Sequence, residues 1–163
     1  MIKLDPLRCI GCGACEVQCQ VKTRTPPAVR PALVLTAWPP AEDPVPRMTA
    51  AFRPCFHCET PWCVAACPTG AMQKRAADGI VFIDPGICVG CKACITACPW
   101  GAPQWNPETG KAVKCDYCKD RVDAGLKPAC VTVCITHCLS FGPAEETVQF
   151  KRERHAQSVA KLG

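Results

Sequence analysis

The chain has 163 residues, of which only 33 are Leu, Ile, Val or Phe while 17 are proline and 11 glycine, a balance at which chains tend toward disorder. Seventeen cysteines push the other way, so something other than an aliphatic core holds the fold. The formal charge of +5 comes with no dense basic face that would mark a nucleic-acid partner, and no apolar run approaches the ~20 residues that span a bilayer. Met1-Ile2-Lys3-Leu4-Asp5-Pro6 carries no basic stretch leading into an apolar one. The expectation is therefore a cytoplasmic chain with no export signal and no transmembrane segment of its own.

In chain order, Ile2 to Asp5 reads as a short strand with Ile2 and Leu4 on one face. It leads into Cys9, Cys12, Cys15 and Cys19, spaced C-x2-C-x2-C-x3-C. Residues 25–54 hold eight prolines, leave Leu33 to Thr36 as the one candidate strand, and read as a connector. Cys55, Cys58, Cys63 and Cys67 follow, with two extra residues before the third cysteine and Pro68 after the fourth. Ala77-Asp78-Gly79 then marks a hairpin between Ala71–Lys74 and Ile80–Ile83. Cys88, Cys91, Cys94 and Cys98 repeat the first spacing, with Pro99 next. A second hairpin turns at Asn106–Gly110, between Ala102–Trp105 and Lys111–Lys114. Cys115, Cys118, Cys130 and Cys134 form the fourth group, with eleven residues before the third cysteine. Past Gly142 the chain turns polar, and Glu145–Leu162 fits a helix with Val148, Val159 and Leu162 on its apolar side.

In a reducing compartment such cysteines hold metals rather than disulfides. The first and third groups carry the bacterial ferredoxin spacing, in which three thiols on one loop reach three corners of a cubane and the fourth ligates a different cluster. Reciprocal pairing of the consecutive second and third groups then assigns Cys55, Cys58, Cys63 and Cys98 to cluster 2, and Cys88, Cys91, Cys94 and Cys67 to cluster 3. The remaining groups pair as Cys9, Cys12, Cys15 and Cys134 for cluster 1, and Cys115, Cys118, Cys130 and Cys19 for cluster 4. Zinc is the alternative for the fourth group, whose insertion is long. Cys138 is left over and reads as a packed thiol. His57, His137 and His155 stand singly and read as packing or surface residues.

Four thiolates per cluster leave no open iron, so such a chain conducts electrons and does no bond chemistry itself. Each oxidised cubane with its thiolates adds about −2, which takes the chain to about −3. The lysines and arginines then partly compensate cluster charge.

Taken together, the runs PCFHCETPWCVAACPTGAM, DPGICVGCKACITACPWGAP and KCDYCKDR and the PAC-x3-C that runs on to SFG resemble a known family. It comprises the iron-sulfur subunits of molybdenum and tungsten pterin oxidoreductases: the β subunits of the dimethyl-sulfoxide-reductase family and the polyferredoxin subunits of tungsten aldehyde oxidoreductases. The resemblance covers Met1 to about Gly142. It implies an α+β, ferredoxin-like fold with four [4Fe-4S] clusters, docked on a large catalytic subunit that carries the pterin, with a flavin or other electron-accepting subunit as a further partner. The expected organisation is two nested two-cluster ferredoxin modules with short β-hairpins and cluster loops. Residues 1–24 and 111–142 form the outer module, 25–54 the connector, 55–110 the inner module and 143–163 a polar tail. The short chain points to a tungsten aldehyde oxidoreductase as the specific complex, a hetero-oligomer with one or several copies of this subunit. A freely diffusing polyferredoxin is the alternative; Trp38, Trp62, Trp100 and Trp105 discriminate, as a docking face or as shields over the clusters. The family usually has Cys-Pro-Thr where this chain has Cys134-Ile135-Thr136, and a small residue where it has Cys138.

Overall fold

The computed structural model describes residues 1–38 and 48–143, together with positions 148, 152 and 156, which are helical. Apart from those three positions, the helix expected over 145–162 lies outside the described residues, as do prolines 39, 40, 44 and 46 of the connector. The described elements, in chain order, are β1 (Ile2–Leu4), α1 (Ala14–Thr23), β2 (Leu33–Ala37), β3 (Thr49–Arg53), α2 (Trp62–Ala65), β4 (Met72–Lys74), β5 (Val81–Ile83), α3 (Ala93–Ala97), β6 (Gln104–Asn106), β7 (Lys111–Val113), α4 (Lys119–Asp123), α5 (Ala129–Thr132) and β8 (Leu139–Phe141).

The strands pair antiparallel in twos: β1 with β8, β2 with β3, β4 with β5 and β6 with β7. Both predicted hairpins are present. In the first, Gly79 takes the left-handed φ of 72° and its N–H bonds the Arg75 carbonyl at 2.8 Å, as an Asp-Gly turn requires. In the second, Asn106 caps the turn by accepting the Glu108 N–H at 3.0 Å.

The predicted N-terminal strand finds its partner at the far end of the described chain, since Ile2 pairs with Phe141 and Leu4 with Leu139. The connector is more regular than expected: residues 49–53 form a second strand, with Ala50 and Phe52 buried and the other three exposed. The alternation there is carried by alanines, which have weak strand propensity and so leave little sequence signal. Glu16 of α1 holds this hairpin, accepting the Val34 N–H at 2.7 Å and pairing with Arg30 at 2.8 Å.

Buried side chains gather in three patches rather than one core. Ala32, Phe52, Val131 and Leu139 pack with Cys19, Cys130, Cys134 and Cys138, where α1 lies on α5. Met72, Val81 and Ala112 pack with Cys63 and Cys94, where α2 lies on α3. Ile80 and Tyr117 join Cys55 and Cys115 between them, with Ile2 and Phe141 at the edge. Arg75 pairs with Asp123 of α4 at 2.7 Å, and Lys22 of α1 with Asp120 of α4 at 2.9 Å. Cysteine occupies every patch, so filling the space between thiols is a structural requirement as well as a functional one.

Candidate iron-sulfur centres

Each cysteine group opens on the same backbone device. The second residue after the first cysteine is left-handed in all four: Gly11 at φ 66°, His57 at 47°, Gly90 at 70° and Tyr117 at 55°. Such a residue turns successive N–H groups toward one side, forming a concavity for anions. The third cysteine then lies in a helix, Cys15 in α1, Cys63 in α2, Cys94 in α3 and Cys130 in α5. The fourth comes four residues later, within α1 for Cys19 and past the end of the short helix for Cys67, Cys98 and Cys134, where it lies near the thiols of a neighbouring group.

Gly90 cannot be replaced. A Cβ there would lie 2.3 Å from the Gly110 carbonyl oxygen and 3.0 Å from the Trp105 ring, on top of the positive φ. Gly90→Ala is expected to cost at least the ~1–3 kcal/mol of a strained residue, read as a lower thermal midpoint of the loaded chain. Gly101→Ala has open space and should cost no more than its φ. Equal midpoints for the two variants would refute the close approach.

Thiols from different groups meet in the structure. Cys67, Cys88, Cys91 and Cys94 line one cavity. Cys9, Cys12, Cys15 and Cys134 line another, and Cys138 lines it too. Cys63 lies in the electrostatic field of Cys55 and Cys98, and Cys19 in that of Cys115, Cys130 and Cys118. Among the described residues, no three thiols, imidazoles or carboxylates converge on a point that would suit a single ion. Thiols of two groups lining one cavity suit the corners of a cubane.

The two cavities are built alike. Cys67, Thr69, Ala71 and Met72 in one answer in spacing to Cys134, Thr136, Cys138 and Leu139 in the other. The threonine hydroxyl stands 3.8 Å from the Cys67 sulfur and 3.7 Å from the Cys134 sulfur. The residue after it turns left-handed in both, Gly70 at φ 68° and His137 at 50°. Cys138 is buried and packed, as expected from the sequence, and it takes the place of a cavity-lining alanine.

Burial sets the thiol electrostatics. It pushes Cys94 and Cys15 up to about 11 and Cys115 up to about 12, and raises Cys19 and Cys130 further. At Cys67 the cost of burial is outweighed by the Met72 N–H and the Thr69 hydroxyl, leaving the thiol below its ordinary value. Thiols held protonated by burial must release protons to bind metal.

Lys114 and Tyr117 escaped the sequence reading, and His57, read there as a packing or surface residue, is buried and packed. Lys114 is 4% exposed; its ammonium lies 3.5 Å from the Cys55 sulfur and donates to the carbonyls of Cys115, at 2.7 Å, and Val81. His57 accepts the Val81 N–H on Nδ1 at 2.8 Å, so its proton sits on Nε2. Burial, helped by Lys114, lowers its pKa to about 2 and keeps the ring neutral. Nε2 is buried with no protein partner among the described residues, an orphan donor inside the Cys55–Cys58 loop that suits a group rich in sulfur acceptors. Tyr117 stacks on His57 with ring centroids 3.6 Å apart, so the two bulky left-handed residues of the second and fourth groups pack against each other. The one sequence hint was that both occupy a position where the other groups have glycine.

Of the tryptophans, Trp38, Trp62 and Trp100 are exposed, while Trp105 packs beside Gly90 under the Lys92 ammonium, 4.3 Å from its ring centroid. No helix among the described residues is long and apolar enough to cross a membrane.

Residues 47–144 and residues 8–71 each match the family described as 4Fe-4S dicluster domain, and between them they take in all four cysteine groups. The sequence is 40% identical over 164 aligned residues to the B subunit of the anaerobic dimethyl sulfoxide reductase of Escherichia coli (strain K12), covering 96% of this protein and 78% of that one. It is 42% identical to the thiosulfate reductase electron transfer subunit PhsB of Salmonella typhi, over 88% of this protein and 75% of that one. It is 39% identical to the protein NrfC of Escherichia coli (strain K12), over 92% and 70%.

Proposed function

The chain belongs to the family of 4Fe-4S dicluster proteins, as an electron-transfer subunit with four [4Fe-4S] clusters, and from that premise we propose how its thiols hold the clusters and in what order electrons pass. Cys9, Cys12, Cys15 and Cys134 hold cluster 1. Cys55, Cys58, Cys63 and Cys98 hold cluster 2, Cys88, Cys91, Cys94 and Cys67 cluster 3, and Cys115, Cys118, Cys130 and Cys19 cluster 4. Bound in these cavities, a [4Fe-4S] group supplies one-electron redox chemistry. The protein's own part is to hold it with four thiolates, exclude water and set the surrounding charge.

The observation that carries the order is which thiols share a packed patch. Cys63 and Cys94 share one, Cys55 and Cys115 the second, and Cys19 and Cys130 share the third with Cys9, Cys15 and Cys134. This supports the series 3–2–4–1, with the inner module (55–110) contributing the first pair and the outer module (1–24 with 111–142) the second. The two exposed cysteines, Cys91 and Cys12, fall at its opposite ends. Exposed apolar residues flank each end, Ile87 and Val89 beside one and Leu7 and Ile10 beside the other. Two such faces suit two partners: a large molybdenum- or tungsten-pterin catalytic subunit, and a flavin or other electron acceptor. Seventeen thiols need a reducing compartment to stay free for metal, which supports cytoplasmic assembly of the complex.

Anaerobic isolation of the complex tests this reading. About sixteen irons and sixteen sulfides per chain are expected, with molybdenum or tungsten in a co-purifying large subunit. Tungsten there, with an aldehyde as reductant, would support the aldehyde oxidoreductase complex. A fully loaded chain migrating alone would favour the diffusing polyferredoxin.

A further inference from the structure

The cavity of cluster 1 has five thiols around it, not four. Cys138 is 6% exposed, lines the cavity together with Cys9, Cys12, Cys15 and Cys134, and holds its sulfur 3.3 Å from that of Cys134. It reaches the cavity from a different element. Its carbonyl accepts the Asp5 N–H at 2.8 Å and the next residue, Leu139, opens β8 and pairs with Leu4 of β1. Cys134 sits instead in the turn after α5. The sheet therefore fixes Cys138 whether or not Cys134 is in place.

Comparison within the chain isolates the feature. The fourth cysteines of the second and third groups are followed at once by Pro68 and Pro99, and four residues on by Ala71 and Ala102. After Cys134 the same two positions are Ile135 and Cys138. Proline pins φ; Ile135 places no such restraint on it. The one loop of these three that carries a second thiol is also the one that lacks this restraint.

We propose that Cys138 is an alternative ligand at the fourth corner of this cavity, able to hold the group in place of Cys134. The exchange balances, because the proton that the Cys138 thiol gives up on binding is the one that Cys134 gains on release. The inference rests on the ligand assignment above.

Its test uses the full chain in its native complex, handled anaerobically, in four variants: Cys134→Ala, Cys138→Ala, the double variant and Cys12→Ala. Alanine offers no ligating atom. Both single variants at 134 and 138 are expected to keep the full iron and sulfide content, whereas the double variant loses about a quarter of it, one cluster in four. Loss of that quarter by Cys134→Ala alone, or a three-iron signal in its oxidised electron paramagnetic resonance spectrum, would overturn the proposal. Equal iron in the double variant and in Cys134→Ala would overturn it as well, since Cys138 would then contribute nothing. Cys12→Ala should lose the same quarter in any background; if it does not, the ligand assignment itself is what fails. Cys12→Ala also shows whether the complex survives the loss of this cluster, which separates absent ligation from misfolding in the double variant.

Discussion

Replacing Cys94 by serine is expected to remove about four of sixteen irons and to collapse the half of the fold around α2 and α3. Cys94 is buried in α3, packs with Cys63, Met72 and Val81, and lines the cavity with Cys67, Cys88 and Cys91. Little else there could carry the load: α2 has four residues, α3 five, and β4 and β5 three each. Helices so short do not persist without tertiary support. A structural metal site contributes on the order of 10 kcal/mol to folding, as much as the whole of a typical domain's stability. Iron analysis and thermal unfolding monitored by circular dichroism check the outcome together. A Cys94→Ser chain with full iron and an unchanged midpoint would remove this thiol from the ligand set.

Lys114→Met should shift one cluster's midpoint potential downward and leave the iron content unchanged. The sign follows from charge. Reduction adds an electron to a group that is already negative, and the ammonium 3.5 Å from the Cys55 sulfur favours the reduced form. Without it the oxidised form gains and the potential falls. A unit charge roughly 6 Å from a redox centre at an effective dielectric of about 20 contributes roughly 3 kcal/mol. A one-electron couple moves about 59 mV per tenfold change in equilibrium constant, so the shift is on the order of 100 mV. Methionine keeps the side-chain length, and the Val81 and Cys115 carbonyls lose one donor between them. Redox titration followed by electron paramagnetic resonance reads the four potentials. Four unchanged values would mean that the charge of Lys114 is compensated elsewhere.

Lys114 also explains why the second and fourth cysteine groups meet. Its ammonium contacts the Cys55 sulfur of one and donates to the Cys115 carbonyl of the other and to the Val81 carbonyl, and the Val81 N–H engages His57. In the proposed series this is the step between the two modules. The other two steps rest on the helix pairs α2–α3 and α1–α5, whereas polar contacts and the His57–Tyr117 stack hold this one.

Cysteine spacing alone determined the chemistry. Thiols two residues apart on one loop, with a fourth four residues on, can reach a cubane and its neighbour only in certain combinations, and two cavities are each lined by thiols of two groups, one of them by Cys138 as well. The Asp-Gly and Asn-Pro-Glu-Thr-Gly turns likewise announced both hairpins, because turn geometry is a local property of three to five residues. The pairing of Ile2–Leu4 with Leu139–Phe141, the strand at Thr49–Arg53, the burial of Lys114 and the contact of Cys138 with Cys134 were decided by the tertiary structure. Each depends on segments distant in sequence meeting across a cavity, or on a strand whose alternation is written in alanine. A lysine beside a cysteine reads the same whether its ammonium faces water or sulfur, and only packing tells the two apart.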